Sequence, residues 1–96
     1  MLPSEILKLK RDTILEVALS HRVENVRIFG SVIHEADNSD SDLDLLVDPT
    51  AETTMFDIAK IQLELSTLLG IKVDVLTPRA LPTKFRHIII AEAVPL

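Results

Sequence analysis

The sequence predicts an α/β (α+β) domain, a short β-sheet with helices packed against one side. Three observations predict it. Apolar residues at helical spacing alternate along the chain with short aliphatic runs that read as strands. Residues 1–96 are enough for one small domain, and no linker, repeat or low-complexity segment divides them. The chain is 47% hydrophobic, but with no Trp or Tyr and only three Phe the core must be aliphatic.

The first helix begins near Glu5, with Ser4 placed to cap it; Leu7, Ile14, Leu15 and Ala18 recur on one face, and the pattern fades near Ser20-His21. Val26-Arg27-Ile28-Phe29 follows as a short strand ending at Gly30. Residues 35–42 are acidic and polar and read as a loop. Leu43 to Val47 is a second strand, stopped by Asp48-Pro49. Thr53 or Thr54 can cap a second helix, which carries a wide apolar face from Phe56 to Leu69 and ends at Gly70. Ile71 to Leu76 alternates cleanly as a third strand and is broken at Thr77-Pro78. A last helix, roughly Lys84 to Ala93, holds Phe85, Ile88, Ile89 and Ile90. Burial on all sides is the simplest account of it, although three successive isoleucines cannot share one helix face.

The chemistry concentrates in Ile28-Phe29-Gly30-Ser31, followed after ten residues by Asp42-Leu43-Asp44. On a strand Asp42 and Asp44 point the same way, and two carboxylates side by side repel unless a cation lies between them. Asp is also a poor strand former, and two in one short strand oppose local propensity. In the third strand Lys72, Asp74 and Leu76 face away from the core. If that strand pairs beside the second, Asp74 joins Asp42 and Asp44. Magnesium commonly takes one or two carboxylates and completes its shell with substrate phosphate oxygens. Glycine after a strand admits a ligand close to the backbone, and Ser31 adds a hydroxyl donor, so Gly30 and Ser31 are candidate phosphate contacts. Taken singly, each acid also fits a solvated strand face that guards an edge, and Gly-Ser also fits a plain turn. An EF-hand starting at Asp40 fails, because its sixth and twelfth positions are Leu45 and Ala51. The P-loop pattern is absent.

Together these segments resemble the signature of the polymerase-beta-type nucleotidyltransferase superfamily, and in particular the minimal nucleotidyltransferases, the MNT antitoxins encoded beside HEPN-domain toxins. The resemblance spans nearly the whole chain: the leading helix, Ile28 to Ser31, Ser41 to Val47, Val73 to Leu76, and Ile90 to Val94. It implies a short mixed sheet with flanking helices. It implies that Asp42, Asp44 and Asp74 are catalytic and bind metal, as a pair of Mg2+ ions. It implies that Gly30 and Ser31, with Asp42 and Asp44, hold ATP. The implied reaction transfers AMP to a tyrosine hydroxyl of the HEPN toxin, with which the chain could form a hetero-oligomer. After Gly-Ser, family members often carry a small residue, Arg and Gly, whereas this chain has Val32-Ile33-His34-Glu35. Arg is a permanent bidentate phosphate donor; His is not, and Glu35 would repel a phosphate. The departure favours an alternative, neutralisation of the toxin by direct binding without chemistry, which retention of all three acids opposes; a third reading, a metal-binding domain with no enzymatic role, has the Gly-Ser spacing against it.

Composition narrows the setting. A net charge of −5 opposes nonspecific nucleic-acid binding, which depends on Lys and Arg neutralising phosphates. The absence of cysteine excludes disulfides and thiolate zinc sites. Glu5 sits where a signal peptide needs an apolar stretch, and the longest apolar runs are too short for a bilayer. The expectation is a cytoplasmic protein without membrane contact.

Overall fold

The computed structural model describes residues 1–96 as helix α1 (Pro3–Leu19), strands β1 (Val23–Phe29) and β2 (Leu43–Pro49), helix α2 (Met55–Leu69), strand β3 (Val73–Leu76), helix α3 (Arg86–Glu92) and strand β4 (Val94–Pro95). The strand order is β3-β2-β1-β4. β1 runs antiparallel to both β2 and β4, while β3 runs parallel to β2, so the sheet is mixed. Hydrophobic residues at every second position split the sheet into two faces. Leu43, Leu45 and Val47 of β2, Ile28 of β1, and Val73 and Val75 of β3 close one face against Ile14 and Ala18 of α1 and Ile61 and Leu65 of α2. Phe29 and Leu46 point to the other face, where Leu81 and Ile89 cover them.

Several local features differ from the sequence-based expectation. Ser4 does not cap α1. Pro3 opens the helix, whose free N–H groups suit a residue that has none to offer. Glu5 Oε1 accepts the Leu2 N–H at 2.8 Å, and Asp37 reaches back from the loop to accept the Ser4 N–H at 2.9 Å. β1 starts at Val23, earlier than its apolar run: Val23 and Glu24 pair with Pro49 and Asp48, and a bulge between Glu24 and Arg27 takes up the extra residue at Asn25-Val26. Asn25 takes φ 54°, its Nδ2 donates to Asp48 Oδ2, and Arg27 donates to Asp48 Oδ1 at 2.5 Å. Asp48-Pro49 consequently extends β2 instead of stopping it, with Pro49 paired to Val23. α3 is shorter than its periodicity suggests and has no buried residue: Phe85, Ile88 and Ile90 are exposed, while Ile89 packs on the sheet. It also lies on the face opposite α1 and α2, so the helices do not all share one side.

α2 matches expectation closely. Thr54 is its N-cap and exchanges hydrogen bonds with Asp57, and Gly70 ends it at φ 70°. Polar side chains of α2 also close the outer edge of the sheet. Ser66 Oγ accepts the Val73 N–H at 3.2 Å, and Gln62 Oε1 accepts the Val75 N–H at 2.9 Å. A four-residue edge strand is thereby clamped on both sides of Asp74.

Candidate active site

Asp44 and Asp74 are register partners in the parallel β2–β3 pair, so the strands themselves hold the two carboxylates side by side on one sheet face. Asp42 lies one step before β2, two residues ahead of Asp44. The Asp44 carboxyl is pushed up to about 6, first by burial and then by the charges of Asp74 and Asp42, with Lys72 acting in the opposite direction. Lys72 Nζ stands 3.6 Å from Asp42 Oδ2. Alternation along the third strand places Lys72 on this face, but no local signal in the chain announces its ion pair with Asp42.

Gly30 closes the site from β1. Phe29 pairs with Asp44, so the residue after it turns directly over the carboxylate. Gly30 has φ +83°, and a Cβ built there would collide with Asp44 Oδ2 and lie 3.3 Å from Asp44 Cγ. Both backbone conformation and space therefore demand glycine at this position. The chain continues as a tight 3₁₀ turn, Gly30–Val32, and the Ser31 carbonyl accepts the Ala36 N–H at 3.0 Å. Further along, His34 Nε2 lies 3.0 Å from Glu92 Oε2 of α3. The face is thus divided: acids and the Gly-Ser turn occupy one half, and Phe29, Leu46, Leu81 and Ile89 seal the other.

The donor set is chemically suited to a hard divalent cation. Its oxygens are carboxylate, they are partly withdrawn from water, and their mutual repulsion is only partly offset by one lysine. No three His, Cys, Asp or Glu side chains are drawn tightly enough to cage an ion by themselves.

Residues 12–96 match the family model described as "Polymerase beta, Nucleotidyltransferase". The chain belongs to this nucleotidyltransferase family. Among relatives of the nucleotidyltransferase domain, "Putative protein adenylyltransferase MJ0435" of Methanocaldococcus jannaschii is 34% identical over 81 residues, covering 84% of this chain and 87% of that protein. "Putative protein adenylyltransferase MJ1217" of the same organism is 32% identical over 77 residues, covering 80% and 76%. A solved structure described as "Structure of putative minimal nucleotidyltransferase" superposes with a TM-score of 0.85 at 39% identity, covering 97% of this chain and 95% of that one. The fold is shared more distantly with "Crystal structure of the toxin-antitoxin with AMP-PNP", at a TM-score of 0.74 and 16% identity over 88% of this chain and 69% of that one. The mixed sheet with flanking helices is therefore the polymerase-beta-like nucleotidyltransferase fold. No helix is long and apolar enough to cross a membrane.

Proposed function

We propose that this chain is an MNT antitoxin that neutralises a HEPN-family toxin by transferring AMP from ATP to a tyrosine hydroxyl of that toxin. The observation that carries the reading is the side-by-side placement of Asp44 and Asp74, with Gly30 turned over Asp44. In this reading Asp42, Asp44 and Asp74 hold magnesium, as a pair of ions. Bound magnesium would neutralise triphosphate charge and favour attack of the hydroxyl at the α-phosphate, where the bond to the β-phosphate breaks and pyrophosphate leaves. In this reading Asp74, on the outer strand, accepts the proton of the incoming hydroxyl. Gly30 and Ser31 border the carboxylates and hold the triphosphate close to the backbone. Within residues 1–96 no second lobe covers the carboxylate face, and in this reading the acceptor hydroxyl comes from another protein. The work of the site is then positioning and charge neutralisation. The adenylyltransferase relatives and the AMP-PNP complex support nucleotide use, and the toxin-antitoxin structures support the partner class.

A second reading, neutralisation by contact alone, draws on His34. It occupies the stretch where relatives often carry a phosphate-binding Arg, and here it is engaged by Glu92. One experiment separates the two. Incubating the protein with labelled ATP, Mg2+ and the product of the neighbouring gene labels that product if the first reading holds. The Asp42→Ala/Asp44→Ala variant then loses transfer while its circular dichroism is unchanged. Labelling that survives in the double variant rules out these acids as the catalytic groups.

A further inference from the structure

β2 and β3 begin at the end of the sheet where β1 finishes. There Asp44 and Asp74 stand as register partners. Two residues earlier the same ladder sets Lys72 beside Asp42, and the Lys72 carbonyl accepts the Leu43 N–H at 3.0 Å. The strands therefore hold a lysine in the row of acids. Lys72 Nζ lies 3.6 Å from Asp42 Oδ2, and its charge is also felt at Asp44. The contact is loose: the Lys72 side chain is 70% exposed. A solvated pair of this kind contributes little and exchanges readily. Gly30 and Ser31 leave β1 at this same end, so the acids lie between the turn and Lys72.

Other cations near this face are committed elsewhere. Arg27 alternates with Ile28 onto the same side of the sheet, but it is bound to Asp48 toward the far end of β2. Arg86 donates to the carbonyls of Pro78, Arg79 and Leu81. His34, in the turn itself, is paired with Glu92, and Glu35 adds a negative charge there. Lys72 is left as the movable cation beside the acids. We infer that Lys72 is the triphosphate-binding cation of this chain: it rests on Asp42 until a divalent cation takes that carboxylate, then turns onto phosphate oxygens of the nucleotide. The inference rests on the proposed nucleotide-binding role of the carboxylates. An ammonium and a divalent cation repel each other when they compete for one carboxylate. The flexible four-carbon stem lets the lysine move aside without moving the strand, and an ammonium binds phosphate as a point charge. Lys72 thus opposes the metal ion when it binds alone and assists the nucleotide once the metal is in place.

Two titrations of the full chain read the two halves of this exchange. One follows Mn2+ alone by electron paramagnetic resonance; the other follows AMP-PNP by calorimetry in saturating Mg2+. Lys72→Met keeps the stem and removes the charge, and at so exposed a position it leaves the urea midpoint nearly unchanged. It binds Mn2+ about three- to tenfold more tightly than the wild type, because a like charge has left the carboxylates. It binds AMP-PNP about tenfold more weakly, because a charge-assisted contact to phosphate is gone. Lys72→Arg keeps the charge and holds both affinities within about threefold of wild type. The opposite signs in Lys72→Met are the signature, since a lysine that only shapes the site would lower both affinities together. That joint loss, or either affinity left unchanged in Lys72→Met, overturns the inference while the carboxylate reading stands. A wild type that binds neither Mn2+ nor AMP-PNP overturns the carboxylate reading, and this inference with it.

Discussion

At the scale of single residues, Asp44 is held in an environment that disfavours its own charge. Burial and two neighbouring carboxylates raise its pKa from 3.8 to about 6. Between those values the folded chain keeps a proton that the unfolded chain has released. Its contribution is therefore fully present below about pH 4 and is lost as pH rises through about 6. After allowance for solvent screening of a partly exposed group, the loss is about 1–2 kcal/mol. Thermal melts in EDTA test this. From pH 5 to pH 8 the wild type loses several degrees more than Asp44→Asn, and at pH 8 the variant is the more stable protein. Parallel pH profiles for the two would show that Asp44 carries no strain. Asp44 could be singled out in the sequence because a carboxylate inside an aliphatic strand breaks the local rule. The steric reason for Gly30 could not, since Gly30 and Asp44 meet only once β1 pairs with β2.

At the scale of elements, the chain was legible wherever a local signal was strong. α2 follows from Thr54, Asp57, its apolar spacing and Gly70, and β3 from strict alternation. The bulge in β1 was not legible: Glu24 and Asn25 look like a loop until Asp48, distant in the chain, ties Asn25 and Arg27 together. Burial of α3 was misread for a related reason, since successive isoleucines show apolarity but not which of them meets the sheet. The edge of β3 is a further tertiary feature. Gln62 and Ser66 look like ordinary polar positions on α2, yet they accept the N–H groups flanking Asp74. Gln62→Ala strands the Val75 N–H at that edge and costs about 1 kcal/mol. Urea unfolding measures the loss, and hydrogen exchange localises it: protection falls at Val75 while α1 is unaffected. Equal loss at both places would mean the glutamine supports the fold at large rather than the strand that carries Asp74.

At the scale of the whole molecule, the sheet separates stability from chemistry. One face is closed by α1 and α2 and holds most of the core. The other is shared between the acids and a small cluster that anchors α3 through Ile89. That anchoring leaves Phe85 and Ile88 turned outward, each close to half exposed. Under the proposed function, this apolar surface on the α3 side of the sheet is where an acceptor protein would be held while its hydroxyl enters. Because these side chains contribute little to the core, Phe85→Ser/Ile88→Ser leaves the urea midpoint nearly unchanged, within about 1 kcal/mol. If the proposed transfer holds, the same substitutions lower AMP transfer to the partner by about tenfold or more, as expected when interface anchors are removed. Mn2+ binding, followed by electron paramagnetic resonance, separates the two halves of the face. It is unchanged in Phe85→Ser/Ile88→Ser and abolished in Asp42→Ala/Asp44→Ala. Transfer that persists at the wild-type rate would place the acceptor elsewhere. A loss of Mn2+ binding in the α3 variant would mean that the helix shapes the metal site instead of the partner's approach.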